Sequence, residues 1–125
     1  MTRYLLSLIF FTLLLFSAPA ARAEPDASYQ KVMAKQTIRC GYAEWPPFVV
    51  VDPNTKKISG IMYDLWEQIG ERLNLKVEWS TLIGWGEIAE GIRSGKMDVF
   101  CASIWPDAGR MKSMLVTRPV FYTPM

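Results

Sequence analysis

The sequence predicts an α/β domain with a mostly parallel sheet and flanking helices. Three observations predict it. At 125 residues the chain holds at most one small domain. Segments with β-branched or alternating apolar residues take turns with helically periodic ones, in the order strand, helix, strand, helix, strand, the pattern of right-handed crossovers. The last of these strands, Met97 to Ala102, is almost continuously apolar, as a strand covered on both faces is.

Residues 1–23 stand apart from that domain. Arg3 precedes an apolar run, Leu5 to Phe16, too short to span a bilayer, and Ala21-Arg22-Ala23 has the small-x-small form that a signal peptidase accepts. Cleavage after Ala23 and export of a soluble product are the expectation. With no cysteine near that point no lipid anchor is expected, and no later segment is long and apolar enough to cross a membrane. Arg3 and Arg22 are two of the 14 basic residues, so the chain from Glu24 balances twelve basic against twelve acidic side chains. That neutrality argues against nucleic acid or an anionic membrane surface as a partner. The absence of histidine removes His-based triads and most zinc sites, and no cofactor is expected.

Residues 24–36 form a polar lead-in in which Tyr29, Val32 and Met33 stand at the spacing of a short helix. Thr37 to Tyr42 reads as the first strand, ended by Trp45-Pro46-Pro47 because prolines donate no ladder hydrogen bonds. Phe48 to Val51 is extended, Asp52-Pro53-Asn54 turns, and Lys56 to Gly60 returns as the second arm of a hairpin. Met62, Leu65, Trp66, Ile69 and Leu73 make one stripe of an amphipathic helix, with Asn74 as its stop. Leu75 to Trp79 alternates as a second sheet strand, and Trp85, Ile88 and Ile92 mark a further helix ending near Ser94-Gly95. After the strand Met97 to Ala102, Asp107 is placed to cap a short helix running to Leu115, and Arg118 to Tyr122 is extended again. The apolar stretch at the end of the chain points to a truncated protein.

Six segments in order resemble the bacterial extracellular solute-binding proteins of family 3, the periplasmic receptors that deliver polar amino acids and related solutes to ABC transporters. They are Thr37 to Tyr42, Pro47-Phe48, the helix start Gly60 to Leu65, Ser94 to Val99 with its Gly-Lys-x-Asp, Arg110, and Thr117 to Tyr122. The resemblance implies a periplasmic-binding-protein-like lobe one, with residues 37–125 as the N-terminal part of an incomplete clamshell. The family's two-lobed form is roughly twice this length. It further implies a non-enzymatic receptor for a small, carboxylate-bearing solute, an ABC transporter permease as partner of the intact protein, and the periplasm as its location. Three rivals share the fold: a cyclohexadienyl-type dehydratase, an accessory protein of a periplasmic quinoprotein dehydrogenase, and a sensor module of a membrane kinase or lytic enzyme.

The same resemblance directs attention to particular residues. Arg110 matches the arginine that holds a ligand carboxylate, and a guanidinium in the first turn of a helix, against the macrodipole, points to an anionic partner; a salt bridge to Asp107 is the bland alternative. Ser103, at the end of the third strand, either offers its hydroxyl and amide to the same mouth or is simply a polar strand end. Trp45 and Trp85 stand where the family often has an aromatic sandwiching the ligand, although Trp85 equally fits the inward face of its helix. Tyr42 and Glu44 flank the mouth, and Glu44 is able to accept from a ligand ammonium, a solvated glutamate before the proline corner being the bland alternative. Ser103-Ile104-Trp105-Pro106-Asp107 departs from the hydroxyl-rich pattern of many amino-acid receptors: Trp105 narrows the site or adds a stacking surface, and Asp107 partly neutralises Arg110. The pairs Glu67 with Glu71 and Glu87 with Glu90 read as solvated helix charge. Cys40 and Cys101 fall on strands that neighbour each other in the family's sheet. An exported chain permits their oxidation, whereas bridging directly across parallel strands is awkward, so a disulfide and two buried thiols both stand.

Overall fold

A computed structural model of the chain describes residues 26–122; the expected cleaved segment and residues 123–125 lie outside them. Helix α1 (Ala27–Lys35) begins where the Asp26 carboxylate accepts from the Ser28 amide at 2.9 Å, and it ends on Gln36 in a left-handed conformation. Of the three apolar residues at helical spacing only Val32 is buried; Tyr29 and Met33 stay exposed. The helix rests against β1 (Thr37–Tyr42), the middle strand of the sheet.

Strand β1 lies between β4 (Lys76–Leu82) and β5 (Val99–Phe100), and both pairings are parallel. Each partner follows a helix, the crossover that parallel pairing requires. Helix α2 (Ile61–Leu73) precedes and packs on β4, and α3 (Ile88–Arg93) precedes and packs on β5. A hairpin of β2 (Val50–Val51) and β3 (Ile58–Ser59) projects between β1 and α2. Its turn is held by Asp52, whose carboxylate accepts from the amides of Thr55 at 2.7 Å and Asn54 at 2.8 Å; those bonds keep its pKa below the usual carboxylate value. Two apolar clusters fill the interior, one of Val49, Met62 and Ala102, the other of Ile83, Ile88 and Met97.

Two glycines allow close approaches that a larger residue prevents. A Cβ on Gly41 would stand 1.8 Å from the sulfur of buried Met97, so the second cluster seats on bare backbone in β1. Gly60, with φ 117° and ψ 175°, sits in backbone space that is nearly glycine's alone, and its Cβ would meet the carbonyl oxygen of Phe48 at 2.6 Å. That crowding arises because the Pro47 and Phe48 carbonyls accept from the Ile61 and Met62 amides at 3.2 and 2.9 Å. The Trp-Pro-Pro-Phe corner thus caps α2 with backbone instead of a side chain.

Several boundaries differ from the sequence expectation. Strand β4 runs three residues past Trp79, since the ladder with β1 resumes after an irregularity at Cys40/Gly41. Helix α3 starts at Ile88, so Trp85 lies in the preceding turn and does not share the helix's inward face. Strand β5 is two residues long, although Asp98 N to Arg39 O at 2.9 Å and Cys101 N to Gly41 O at 2.8 Å carry the ladder beyond both ends. The last helix, α4 (Ala108–Met111), stops well short of Leu115. Met111 and Leu115 are exposed, and of this segment Met114 packs against the Ile83, Ile88 and Met97 cluster. Residues 118–122 pair with no strand among the described residues; Phe121 instead stacks on Phe48, with ring centres 4.8 Å apart.

Two links fasten β5 to β1. The Asp98 carboxylate receives Nε and Nη2 of Arg39 at 3.0 and 2.6 Å and the Arg39 amide at 3.0 Å. The Arg39 guanidinium holds the Asp98 carboxyl below its ordinary pKa, and Asp98 in turn raises that of Arg39. The second link is a disulfide between Cys40 and Cys101, both fully buried, with Cα atoms 5.4 Å apart. In the ladder Cys40 faces Val99, so Cys101 lies just past the strand end and the bridge runs obliquely. This offset removes the awkwardness of a direct cross-strand link.

Candidate functional site

The segments leaving β1, β4 and β5 emerge together at the carboxyl ends of the parallel strands, where an open α/β sheet presents ligand-binding loops. They enclose a hollow of about 360 Å³ lined by Glu44, Trp45, Trp85, Ile104, Trp105 and Arg110. Five of these come from the sequence expectation. A second hollow, of about 420 Å³, lies beside the start of β1, and its Arg39 and Asp98 already satisfy each other.

Trp45 is the hub. Its backbone is held by Val49 on both sides, Trp45 N donating to Val49 O at 2.9 Å and Val49 N donating back at 3.0 Å. Its ring lies 4.9 Å from that of Trp105, 5.7 Å from that of Trp85 in an edge-on arrangement, and 5.1 Å from Phe48. Trp85 is set by a turn in which Glu87 N donates to Gly84 O at 3.0 Å, and its ring also meets Phe100 edge-on at 5.9 Å. Trp105 is 60% exposed and Trp85 42%, so both keep ring surface facing outward.

Arg110 is tied from two directions. Its Nη1 donates to the Trp105 carbonyl at 2.9 Å and stands 3.0 Å from Asp107 Oδ2. Asp107 Oδ1 meanwhile accepts the Arg110 amide at 2.9 Å, so one carboxylate both caps α4 and offsets the guanidinium. The macrodipole argument does not carry over, because a helix of four residues has no separate first and last turn. Among the described residues Nε and Nη2 of Arg110 have no partner, and neither does the Glu44 carboxylate.

Tyr42 and Ser103 do not line the hollow. Tyr42 packs against the Val49, Met62 and Ala102 cluster and meets Trp79 edge-on at 5.8 Å. The Ser103 hydroxyl is shielded from solvent and finds no partner among the described residues. Ile104, absent from the sequence expectation, supplies a wall. An isoleucine bears no chemical signal, and its position between Ser103 and Trp105 in a loop was the one hint available.

A parallel sheet with flanking helices and a hollow of aromatic and charged side chains at its carboxyl edge is an architecture in which open α/β sheets present ligand-binding loops. Residues 38–125 match the bacterial extracellular solute-binding proteins, family 3, and the chain belongs to that family. Comparison with characterised protein sequences finds no match. Among solved structures, an ancestral cationic amino acid solute-binding protein shares 25% identity with a TM-score of 0.62 over 69% of this chain and 37% of its own. A variant of domain 1 of the T. maritima arginine-binding protein, in its arginine-bound form, gives 24% identity and a TM-score of 0.65 over 74% of this chain and 70% of its own. A cysteine-binding protein from Campylobacter jejuni gives 24% identity and 0.61 over 69% and 36%. The matched part of the chain therefore spans little more than a third of the ancestral protein and 70% of the single-domain structure.

Proposed function

We propose that this chain provides one wall of a periplasmic receptor that captures a small, polar, amino-acid-type solute for an ABC transporter, after export directed by residues 1–23. The observation that carries the reading is the convergence of Glu44, Trp45, Trp85 and Trp105 from three separated loops, and of Arg110 from α4, on one hollow at the carboxyl edge of the sheet. In this reading a solute carboxylate takes the free Nε–Nη2 edge of Arg110, and its apolar or cationic part lies along the indoles. Closure on the solute needs a second lobe, which residues 37–125 as an N-terminal part of lobe one do not supply. Ligand contacts then shift the open–closed population, the state offered to a permease.

Binding is favoured over catalysis by the charges themselves. Glu44 and Asp107 are the acid–base candidates of this half, and Asp107 is engaged by Arg110 and by its capping bond. The test is a thermal-shift and titration screen of the purified full chain against amino acids, dicarboxylates and polyamines. One class is expected to raise the melting temperature. Arg110→Ala is expected to weaken any carboxylate-bearing hit about tenfold, the loss of one charge-assisted contact. The screen runs to about 10 mM solute to reach the weak binding of a single wall, and a folded chain silent even there refutes the receptor reading.

A further inference from the structure

We propose that the Cys40–Cys101 bridge is a positioning device for the hollow: it seats the segment that carries Trp105 against the loop that carries Trp45, so that these two indoles meet only while the bridge is closed. Its value to a receptor rests on the reading above, whereas the ring contact itself can be followed without a solute.

The bridge stands at the common base of the two loops. Cys40 lies in β1 upstream of Trp45, and Cys101 lies just past β5 upstream of Trp105. Both cysteines are fully buried, with Cα atoms 5.4 Å apart, and the two rings further along have centres 4.9 Å apart. A covalent tie at the base thus sets how far apart the loops start, and the ring contact depends on that start.

Little else fixes the second loop to the sheet. Strand β5 is two residues long and pairs with β1 alone, and residues 102–106 make no backbone–backbone hydrogen bond among the described residues. Ala102 and Ile104 reach the apolar clusters, but such contacts have no directional preference. Trp105 itself is mostly exposed. Its carbonyl accepts from Arg110, and Arg110 pairs with Asp107; all three belong to one segment, so these bonds fix its internal shape and not its place on the sheet. In β1 the ladder with β4 shifts register between Cys40 and Gly41, so pairing is least regular where the bridge grips.

The two fasteners of β5 therefore differ in what they serve. The Arg39–Asp98 pair ties its amino end, beside the other hollow, and the disulfide ties its carboxyl end, beneath the rings. A loop already in place spares a solute the cost of gathering it, so only the second fastener bears on binding.

The experiment opens each fastener in turn. Close indoles couple and give an exciton couplet in circular dichroism that falls steeply with separation. Trp105→Phe in the bridged chain defines the share of the signal that depends on Trp105. Cys40→Ala/Cys101→Ala, kept well below its unfolding temperature, is expected to lose that same share. So is the unmodified chain refolded with a dithiol, which gives two electrons and two protons to the bridge, leaves two thiols and closes to its own cyclic disulfide. Asp98→Asn, with the bridge closed, is expected to keep the full couplet although it too destabilises the fold. A bridge that only stabilised would leave the couplet intact in every variant that still folds. A folded, unbridged chain with the full couplet overturns the proposal, and so does loss of the couplet in folded Asp98→Asn. Sucrose restores an unbridged chain too weak to fold unaided. If it stays unfolded even there, Asp98→Asn decides the matter by the same criterion. Silence of the chain in the solute screen removes the receptor reading and leaves this result standing.

Discussion

The Cys40–Cys101 bridge is the interaction whose removal has the most calculable consequence. It closes a loop with a sequence separation of 61 residues, from the middle strand to the segment that enters the hollow. Confining a loop of that length in the unfolded chain stabilises the fold by about 4 kcal/mol in the chain-entropy treatment. A domain of this size has only about 5–15 kcal/mol of net stability, so loss of the bridge removes a large share of it. The perturbation is the Cys40→Ala/Cys101→Ala pair, set beside the unmodified chain with and without reductant. Urea unfolding near neutral pH is the assay. With a slope of about 2 kcal/mol/M for a small domain, the midpoint should fall by about 2 M in both the double variant and the reduced chain. The reduced chain keeps both sulfurs in the core, so agreement between the two assigns the effect to the cross-link and not to lost packing. A shift below about 0.5 M, against that slope, refutes the reasoning. So does the titration of two free thiols in denatured, unreduced protein recovered from an oxidising compartment.

Two further changes probe the frame around the hollow. Asp98 has a folded pKa below its unfolded value of about 3.9, so its contribution is complete above that value and is lost as pH falls through the folded pKa. Stability should therefore decline on acidification below about pH 4, and Asp98→Asn should flatten that acid limb while costing about 1–3 kcal/mol near neutrality, both read by urea midpoints across pH. Gly60→Ala adds a Cβ at 2.6 Å from the Phe48 carbonyl oxygen. It should cost more than the about 1–3 kcal/mol of the backbone conformation alone, and circular dichroism should show partial loss of α2 if the corner must move.

How much of this was legible in the sequence depends on the range of the interaction concerned. Strand β1 spans Thr37 to Tyr42 as expected, and α2 stops at Asn74 as expected, because alternation and helical periodicity are local signals backed by local stop residues. The Asp107 cap was equally legible, since a carboxylate before a helix acts on amides a few residues away. The ends that differ are those decided from outside. Strand β4 is prolonged by its pairing with β1, and α4 ends at Met111 while Met114 beyond it still reaches the second cluster. Trp85 was ambiguous for a related reason: a tryptophan three residues before Ile88 has the spacing of a helix face whether or not the helix has begun.

The hollow shows where local reading stops and topology takes over. Nothing in the sequence near Trp45 indicates that its ring meets Trp85 and Trp105, which are forty and sixty positions away. Parallel pairing of β1 with both β4 and β5 brings the three following loops to one edge, so residues just past each strand become neighbours whatever their separation. Tyr42 and Ser103 mark the limit of that rule. Each also stands at a strand end, yet Tyr42 is turned into the first cluster and the Ser103 hydroxyl is shielded without lining the hollow. Successive residues of a strand face opposite sides, so position at the carboxyl edge selects a candidate and only the register decides which side it serves. The loop residues Glu44, Trp45, Trp85 and Trp105 escape that alternation, so all four line the hollow, with Trp105 beside Arg110 where a hydroxyl-rich loop would have placed smaller side chains.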